Sequence, residues 1–414
     1  MVRSCCRLAL FASLLLAIPL GGCAPRQTGE AGKSLALWIQ MDPEERARFV
    51  ENLEAFKQRH PGVDITFVPY DTENRHPQFQ AAAAGGGGPP IIFGPSDQVG
   101  PLSLTRLIKP LDETMPSGFF DRFVPQALDT LDGHLWAAPD QLGNHLVLCL
   151  NRDLVPEAPT TSAEFLAIAK QHTRPGKRNQ PGTYGFAMNM TEPFWLMPFF
   201  AGFGGWVMDE QRLPTLDTPA MVKALAFLKD LKDRQGIMPR ESDYQITETL
   251  FKEGKVPMIV NGPWSWSGYR KSGINLGVAP IFRMPDGQWA RPMTASKGYS
   301  INANISAADL PLAIELITYL TSPEAGLRSA LELGILPSPR EAYSDSALAS
   351  DPVMQASRSA YELGRRMPVV PEMRVIWDVM RTGMQEAMNG SKSPEQAARD
   401  MQAAAVQQIA GMRR

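Results

Sequence analysis

An unbroken apolar run, Leu35-Ala36-Leu37-Trp38-Ile39, is followed at once by a capped helical pattern and then by a second, alternating run. Asp42-Pro43-Glu44-Glu45 supplies an N-cap, a proline at the first helical position and a carboxylate at the third. Phe49, Val50, Leu53 and Phe56 then recur at helical spacing until His60-Pro61-Gly62 stops the helix. Val63, Ile65 and Phe67 alternate, as in a strand with one buried face. Strand, helix and strand in this order predict a parallel sheet built through a right-handed crossover, and hence an α/β fold.

Further elements follow the same punctuation. Gln78 to Ala84 reads as a short helix running into Gly85-Gly86-Gly87-Gly88-Pro89-Pro90, and Ile91-Ile92-Phe93 as a third strand. A glycine run can cradle phosphate, but here a prolyl pair follows in place of Lys-Ser/Thr, so this one is a helix-to-strand connection. Gly32-Lys33-Ser34 resembles the end of a phosphate loop, yet Gln27 stands where the first glycine belongs and the segment precedes its strand. Helices are predicted near Thr218 to Arg234, with Met221, Leu225, Leu228 and Leu231 on one face, and from about Asp309 to Leu320. The alanine-rich tail from Pro394 reads as an amphipathic surface helix. There is no internal repeat.

The two ends and the composition set the compartment. Arg3 and Arg7 precede a short apolar stretch, Leu8 to Leu20, too short to span a bilayer. It ends in Leu20-Gly21-Gly22-Cys23, which resembles a bacterial lipobox; residues 1–22 are expected to be a signal peptide. Cys23 would then carry lipid, and residues 23–34 tether it to the domain. About 390 residues remain, enough for two domains. With Cys5 and Cys6 in the signal and Cys23 as anchor, Cys149 stands alone, so no intramolecular disulfide is expected. Within Leu146-Val147-Leu148-Cys149-Leu150 it reads as a small buried hydrophobe. The chain carries 41 basic and 43 acidic residues with no dense cationic run, which argues against a nucleic-acid surface. Past the signal, no stretch is long and apolar enough for a membrane helix.

Asn261-Gly262-Pro263-Trp264-Ser265-Trp266-Ser267 carries the strongest functional signal. Val256, Met258, Ile259 and Val260 lead into it as a buried strand, and the Gly-Pro turn lifts the aromatics out at the strand end. Ligands bind at such ends in open α/β sheets. An offset of two residues points the indoles apart, so Trp264 is expected in the cleft, where it suits the C–H face of a sugar ring, and Trp266 in the core. This segment resembles the cleft motif of the maltose- and maltodextrin-binding proteins of ABC importers, and other matches extend over nearly the whole mature chain. The resemblance implies a two-lobe periplasmic-binding-protein fold (type II-like), with mixed central sheets flanked by helices and a ligand cleft between the lobes. The lobes are expected at 35–142 plus about 285–322, and at about 146–280 plus 326–414. Crossovers are expected near Gln141 to Leu146, Ala279 to Gly287 and Thr321 to Leu327.

Site residues follow from the same matches. Asp42, in Trp38-Ile39-Gln40-Met41-Asp42, falls in a stretch that contacts sugar hydroxyls, and it also caps the helix at Pro43, where the family has a lysine. In Ile91-Ile92-Phe93-Gly94-Pro95-Ser96-Asp97-Gln98 only Asp97 keeps the family's identity; Gly94 and Gln98 replace a tryptophan and an arginine, and Asn144 replaces a glutamate. Thr191-Glu192-Pro193-Phe194-Trp195 matches a Glu-Pro-aromatic motif with Glu192 intact and Phe194 for a tyrosine. Tyr244, Trp264, Trp377 and Arg381 match aromatic and arginine positions, the last two one helical turn apart. A buried carboxylate makes charge-assisted bonds to hydroxyls, and an indole stacks on a ring, with the stack contributing on the order of 1 kcal/mol beyond area burial.

With the second-lobe contacts kept and the first-lobe contacts changed, the resemblance implies the same mode of capture and a changed ligand. That ligand is a di- or oligosaccharide, with maltose or trehalose as lead. The implied protein is a lipid-anchored, monomeric receptor at the cell envelope that delivers sugar to a permease and uses no cofactor or metal. Two rivals remain at this stage. Asp97 and Glu192 could form a glycosidase pair, although His60, His76, His134, His145 and His172 give no HExxH spacing and no Gly-x-Ser-x-Gly is present. Alternatively, the same fold could receive an amino acid, peptide or polyamine, or feed a sensor.

Overall fold

The computed structural model describes residues 33–174, 176 and 182–413. The expected signal segment and the lipid-bearing Cys23 lie outside the described residues. Strand β1 (Ser34–Ile39), helix α1 (Pro43–Arg59) and strand β2 (Asp64–Pro69) form the expected opening, with β1 and β2 parallel from Ser34↔Asp64 to Ile39↔Pro69. Ser34, expected in the tether, is already strand. Helix α2 (Thr72–Ala84) begins earlier than Gln78 because Asp71 accepts from the Asn74 N–H at 2.8 Å, and the helix carries Pro77 inside it. Strand β3 (Ile91–Pro95) pairs parallel to β1, and β4 (Ala138–Gln141) completes the first pass through this sheet.

A second sheet then forms from β5 (Val147–Asn151), β6 (Ala187–Met188), β7 (Met258–Asn261) and β8 (Leu276–Ala279), with α3 (Pro219–Lys229) and α4 (Tyr244–Lys252) between β6 and β7. Strand β9 (Lys297–Ile301) returns to the first sheet, antiparallel to both β3 and β4. The sheet orders are β2-β1-β3-β9-β4 and β8-β5-β7-β6. Both are mixed and both are covered by helices, which gives the expected α/β class and two-lobe architecture.

Each sheet has its own core. Leu37, Phe49, Phe56, Phe93, Tyr299 and Leu316 pack around the first; Leu148, Phe165, Phe199, Val260, Phe282 and Met380 pack around the second. Each such side chain contributes about 1.5–3 kcal/mol on burial. Met284, Ala290, Met293 and Ala295 belong to the second core, so the chain re-enters the first sheet at Lys297 and not near residue 285. Helices α5 (Leu310–Leu320) and α6 (Pro323–Leu333) both pack on α1. Past them, Pro337 and Pro339 bridge to Gln141 and Phe123, and Arg340 Nη2 donates to the Phe123 carbonyl at 2.9 Å. The chain therefore leaves the first body later than Thr321 to Leu327, before α7 (Pro352–Leu363), which packs on β8. Helices α8 (Glu372–Asn389) and α9 (Pro394–Met412) pack together on the second body. Helical periodicity marks the buried face of a segment but not the sheet it covers, which is why these crossings shift.

Candidate ligand-binding cleft

A cleft of about 740 Å³ lies between the two sheets. All nine residues singled out from sequence line it: Asp42, Asp97, Asn144, Glu192, Phe194, Tyr244, Trp264, Trp377 and Arg381. They arrive from both ends of the chain because the ends of β1, β3 and β7 and the first turns of α8 all open on it.

The first body supplies polar groups. Asp42 precedes α1, and its backbone N–H donates to Glu45 Oε2 at 3.2 Å, closing the helix start. Its carboxyl is pushed up to about 7, chiefly by burial and then by the neighbouring Glu45 charge. Glu45 in turn meets Lys297 of β9 at 2.9 Å, both groups nearly wholly buried. Asp97 follows β3 in a single turn of 3₁₀ helix, and Trp377 Nε1 donates to its Oδ2 at 3.0 Å. Asn144 lies between β4 and β5, its backbone N–H donating to the Ala295 carbonyl at 2.7 Å.

The second body supplies the aromatic face. Phe194 lies 6.5 Å from Trp264 and 6.3 Å from Trp377, ring centre to ring centre. Trp195 backs them, anchored by Nε1 donating to the Val260 carbonyl at 2.9 Å, and stands 5.9 Å from Tyr244. Trp264 is half-buried at the cleft, and Trp266 is wholly buried beside Cys149, so the two indoles divide as their spacing predicts. Gly262 makes room for the first: a Cβ there would stand 2.1 Å from Trp264 Cζ3. Glu192 is gripped by Arg381, with Nε 3.1 Å from Oε1 and Nη2 2.9 Å from Oε2, while Arg381 Nη1 donates to Asp378 at 3.0 Å. The fork holds the carboxylate by two parallel charge-assisted bonds and so fixes its plane in the cleft wall.

Sequence reasoning missed Lys297, Arg46, Gln98, Trp195 and Arg374 as lining residues. A lysine opening the wholly buried strand Lys297–Ile301 carries no sequence pattern that would have marked it. Burial raises the Cys149 thiol well above its ordinary range, in keeping with a packing role. Outside the cleft, Asp112, Glu113 and His134 group their polar atoms within 4.8 Å at the surface. His134 is held there as the partner of Asp112 at 3.0 Å.

The family model for bacterial extracellular solute-binding proteins matches residues 51–356. The chain belongs to that family. Among solved structures, this solute-binding protein is similar to a maltose/maltodextrin-binding domain of Bdellovibrio bacteriovorus bound to maltotriose, at 36% identity and a TM-score of 0.88, covering 91% of this chain and 99% of that one. It is 27% identical to a maltotriose-binding protein of Pyrococcus abyssi, over 88% of this chain and 80% of the relative. It is 24% identical to a galactooligosaccharide-binding protein of Bacillus subtilis, over 96% and 95%. A solute-binding protein of this family is a receptor and not an enzyme, which removes the glycosidase reading of Asp97 and Glu192.

Proposed function

We propose that this solute-binding protein captures a di- or oligosaccharide in the cleft and delivers it to the transmembrane subunits of an ABC importer. The observation that carries the reading is that one cleft is lined both by clustered aromatics (Phe194, Trp264, Trp377) and by the carboxyl groups of Asp42, Asp97 and the Arg381-held Glu192. Sugar rings need both: C–H faces stack on indole, and hydroxyls donate to carboxylates. A cleft of about 740 Å³ lies within the ordinary range of small-molecule sites. An α-glucoside such as maltose, maltotriose or trehalose is the lead. In this reading Asn144 contacts ligand at the crossing and Tyr244 at the meeting of the two bodies.

An amino-acid receptor would pair a cation with the ligand carboxylate. Three of the four cations lining the cleft are engaged already, Arg381 by Glu192 and Asp378, Arg374 by Asp378 and Lys297 by Glu45, which favours sugar. The mature receptor is proposed to be a monomer held at the envelope by lipid on Cys23. Its lobes are proposed to run over 34–142 with 297–344, and over 146–295 with 352–413, closing on ligand as hinged bodies.

Thermal shift of the purified protein against maltose, maltotriose, trehalose, sucrose, cello- and xylo-oligosaccharides, amino acids and polyamines tests this. A ligand of the folded state raises the melting point by mass action. Stabilisation by one sugar, lost in Trp264→Ala, is the expected result; stabilisation by amino acids or polyamines alone overturns it.

A further inference from the structure

Arg75, in the first turn of α2, is one of the least exposed charged residues of the chain, at 1%. Its guanidinium lies against the backbone of Gly94, where a Cβ would stand 2.4 Å from Nη2 and 2.8 Å from Cζ. Nη2 donates to Gln98 Oε1, and Asp97 is the carboxylate whose charge acts on the group. Nε and Nη1 have no hydrogen-bond partner among the described residues. The gap beside them, lined by Gly94, Gly298 and Ser300, is only about 10 Å³. A cation buried this deeply is costly, and α2 could be packed by an apolar side chain at the same place. What the guanidinium touches instead is Gln98, and its charge acts on the adjoining Asp97; both of these residues line the cleft.

We propose that Arg75 is a positioning residue for ligand capture. It underpins Asp97 and Gln98 from beneath the wall, and residue 94 must be glycine to admit it. The assignment rests on the saccharide reading of the cleft. Asp97 also accepts from Trp377 Nε1, so Arg75 steadies, through Asp97, one contact between the two bodies.

The test uses Arg75→Met, Arg75→Lys and Gly94→Ala, with Phe79→Leu on the same helix as a control for lost packing. Two quantities are read: the affinity for maltotriose, and the indole Nε1–H proton resonance of Trp377 in ligand-free protein. Arg75→Met is expected to weaken binding roughly 10- to 100-fold, and to move the Trp377 resonance in the direction that Asp97→Asn moves it. In an Asp97→Asn background the same change should lose only a few-fold. Arg75→Lys, which keeps charge without the fork, should fall between. Gly94→Ala should act like Arg75→Met by displacing the guanidinium, and it reports if the methionine variant does not fold. Phe79→Leu should lower the melting point and leave the resonance in place. A Trp377 resonance unmoved by Arg75→Met and Gly94→Ala overturns the proposal. If the unaltered protein ignores maltotriose, affinity is read with the sugar that stabilises it; if no sugar of the panel does, the saccharide reading fails and the resonance alone decides whether Arg75 positions Asp97.

Discussion

The Tyr244 hydroxyl donates to Asp42 Oδ2 at 3.2 Å and lies 2.9 Å from Ser265 Oγ, joining the start of α4 in the second body to the start of α1 in the first. Both partners line the cleft, so the contact lies where ligand is proposed to sit and where the bodies meet. Tyr244→Phe keeps the ring packed near Trp195 and deletes the bridge. Affinity for the sugar found by thermal shift should fall about 5- to 10-fold, the size of one polar contact to a partly charged group. Calorimetric titration checks it, and an affinity equal to that of the unaltered protein would show the bridge to be dispensable.

Trp264 and Trp266 should separate binding from folding. Trp264→Ala should weaken sugar binding by about 30-fold or more, as loss of an aromatic anchor does, with little change in melting point. Trp266→Ala, wholly buried, should cost about 3–5 kcal/mol of stability while the variant that remains folded still binds. Gly262 has ordinary extended backbone, φ −112° and ψ 178°, so alanine is tolerated there except for its contact with the Trp264 ring. Gly262→Ala should therefore copy the binding defect of Trp264→Ala. Equal affinity in Gly262→Ala and the unaltered protein would mean that the indole needs no fixed pose.

Local signals carried the parts of this structure that depend on neighbours in sequence. The parallel pairing of β1 and β2 followed from one capped helix between two apolar runs. The division of Trp264 from Trp266 followed from an offset of two, and the helix-cap position of Asp42 from four residues, while its place at the cleft came only from the family resemblance. What sequence hid was long-range. Lys297 finds Glu45 across 252 positions, and Arg75 finds Gln98 because α2 and the end of β3 meet in space. Neither pairing leaves a periodic trace. The late return at Lys297 was hidden for the same reason, since Met284, Ala290 and Met293 would suit either core.

The buried pair Glu45–Lys297 makes a double substitution informative. Lys297→Met alone strands a buried carboxylate and should cost about 3–5 kcal/mol. Combining it with Glu45→Leu removes both charges and should recover most of that loss. Chemical denaturation of the single and double variants measures the coupling, and purely additive losses would show that the two groups do not act as a pair.

Opposing titrations should hide each other in the pH dependence of stability. Asp42 and Asp140 are pushed up to about 7 from 3.8, mainly by burial, so the folded state holds protons that the unfolded chain releases. Their contribution is complete below pH 3.8 and is lost as pH rises through about 7. Buried His76 and His145 are pulled down to about 4 from 6.5, so the unfolded chain binds protons that the folded state refuses. Their contribution is complete above pH 6.5 and is lost as pH falls through about 4. Across the shared interval the two slopes have opposite sign, so each masks part of the other in the unaltered protein. Substitution uncovers each slope. Asp42→Asn, whose amide oxygen still accepts from Tyr244, should match the unaltered protein at about pH 4 and grow steadily more stable than it toward about pH 7.5. His145→Asn should show its largest deficit near neutrality and lose that deficit on acidification, as the histidine it replaces becomes a liability. Melting curves across this range decide the matter: a difference between Asp42→Asn and the unaltered protein that does not change with pH would mean that Asp42 is ionised in the folded state throughout.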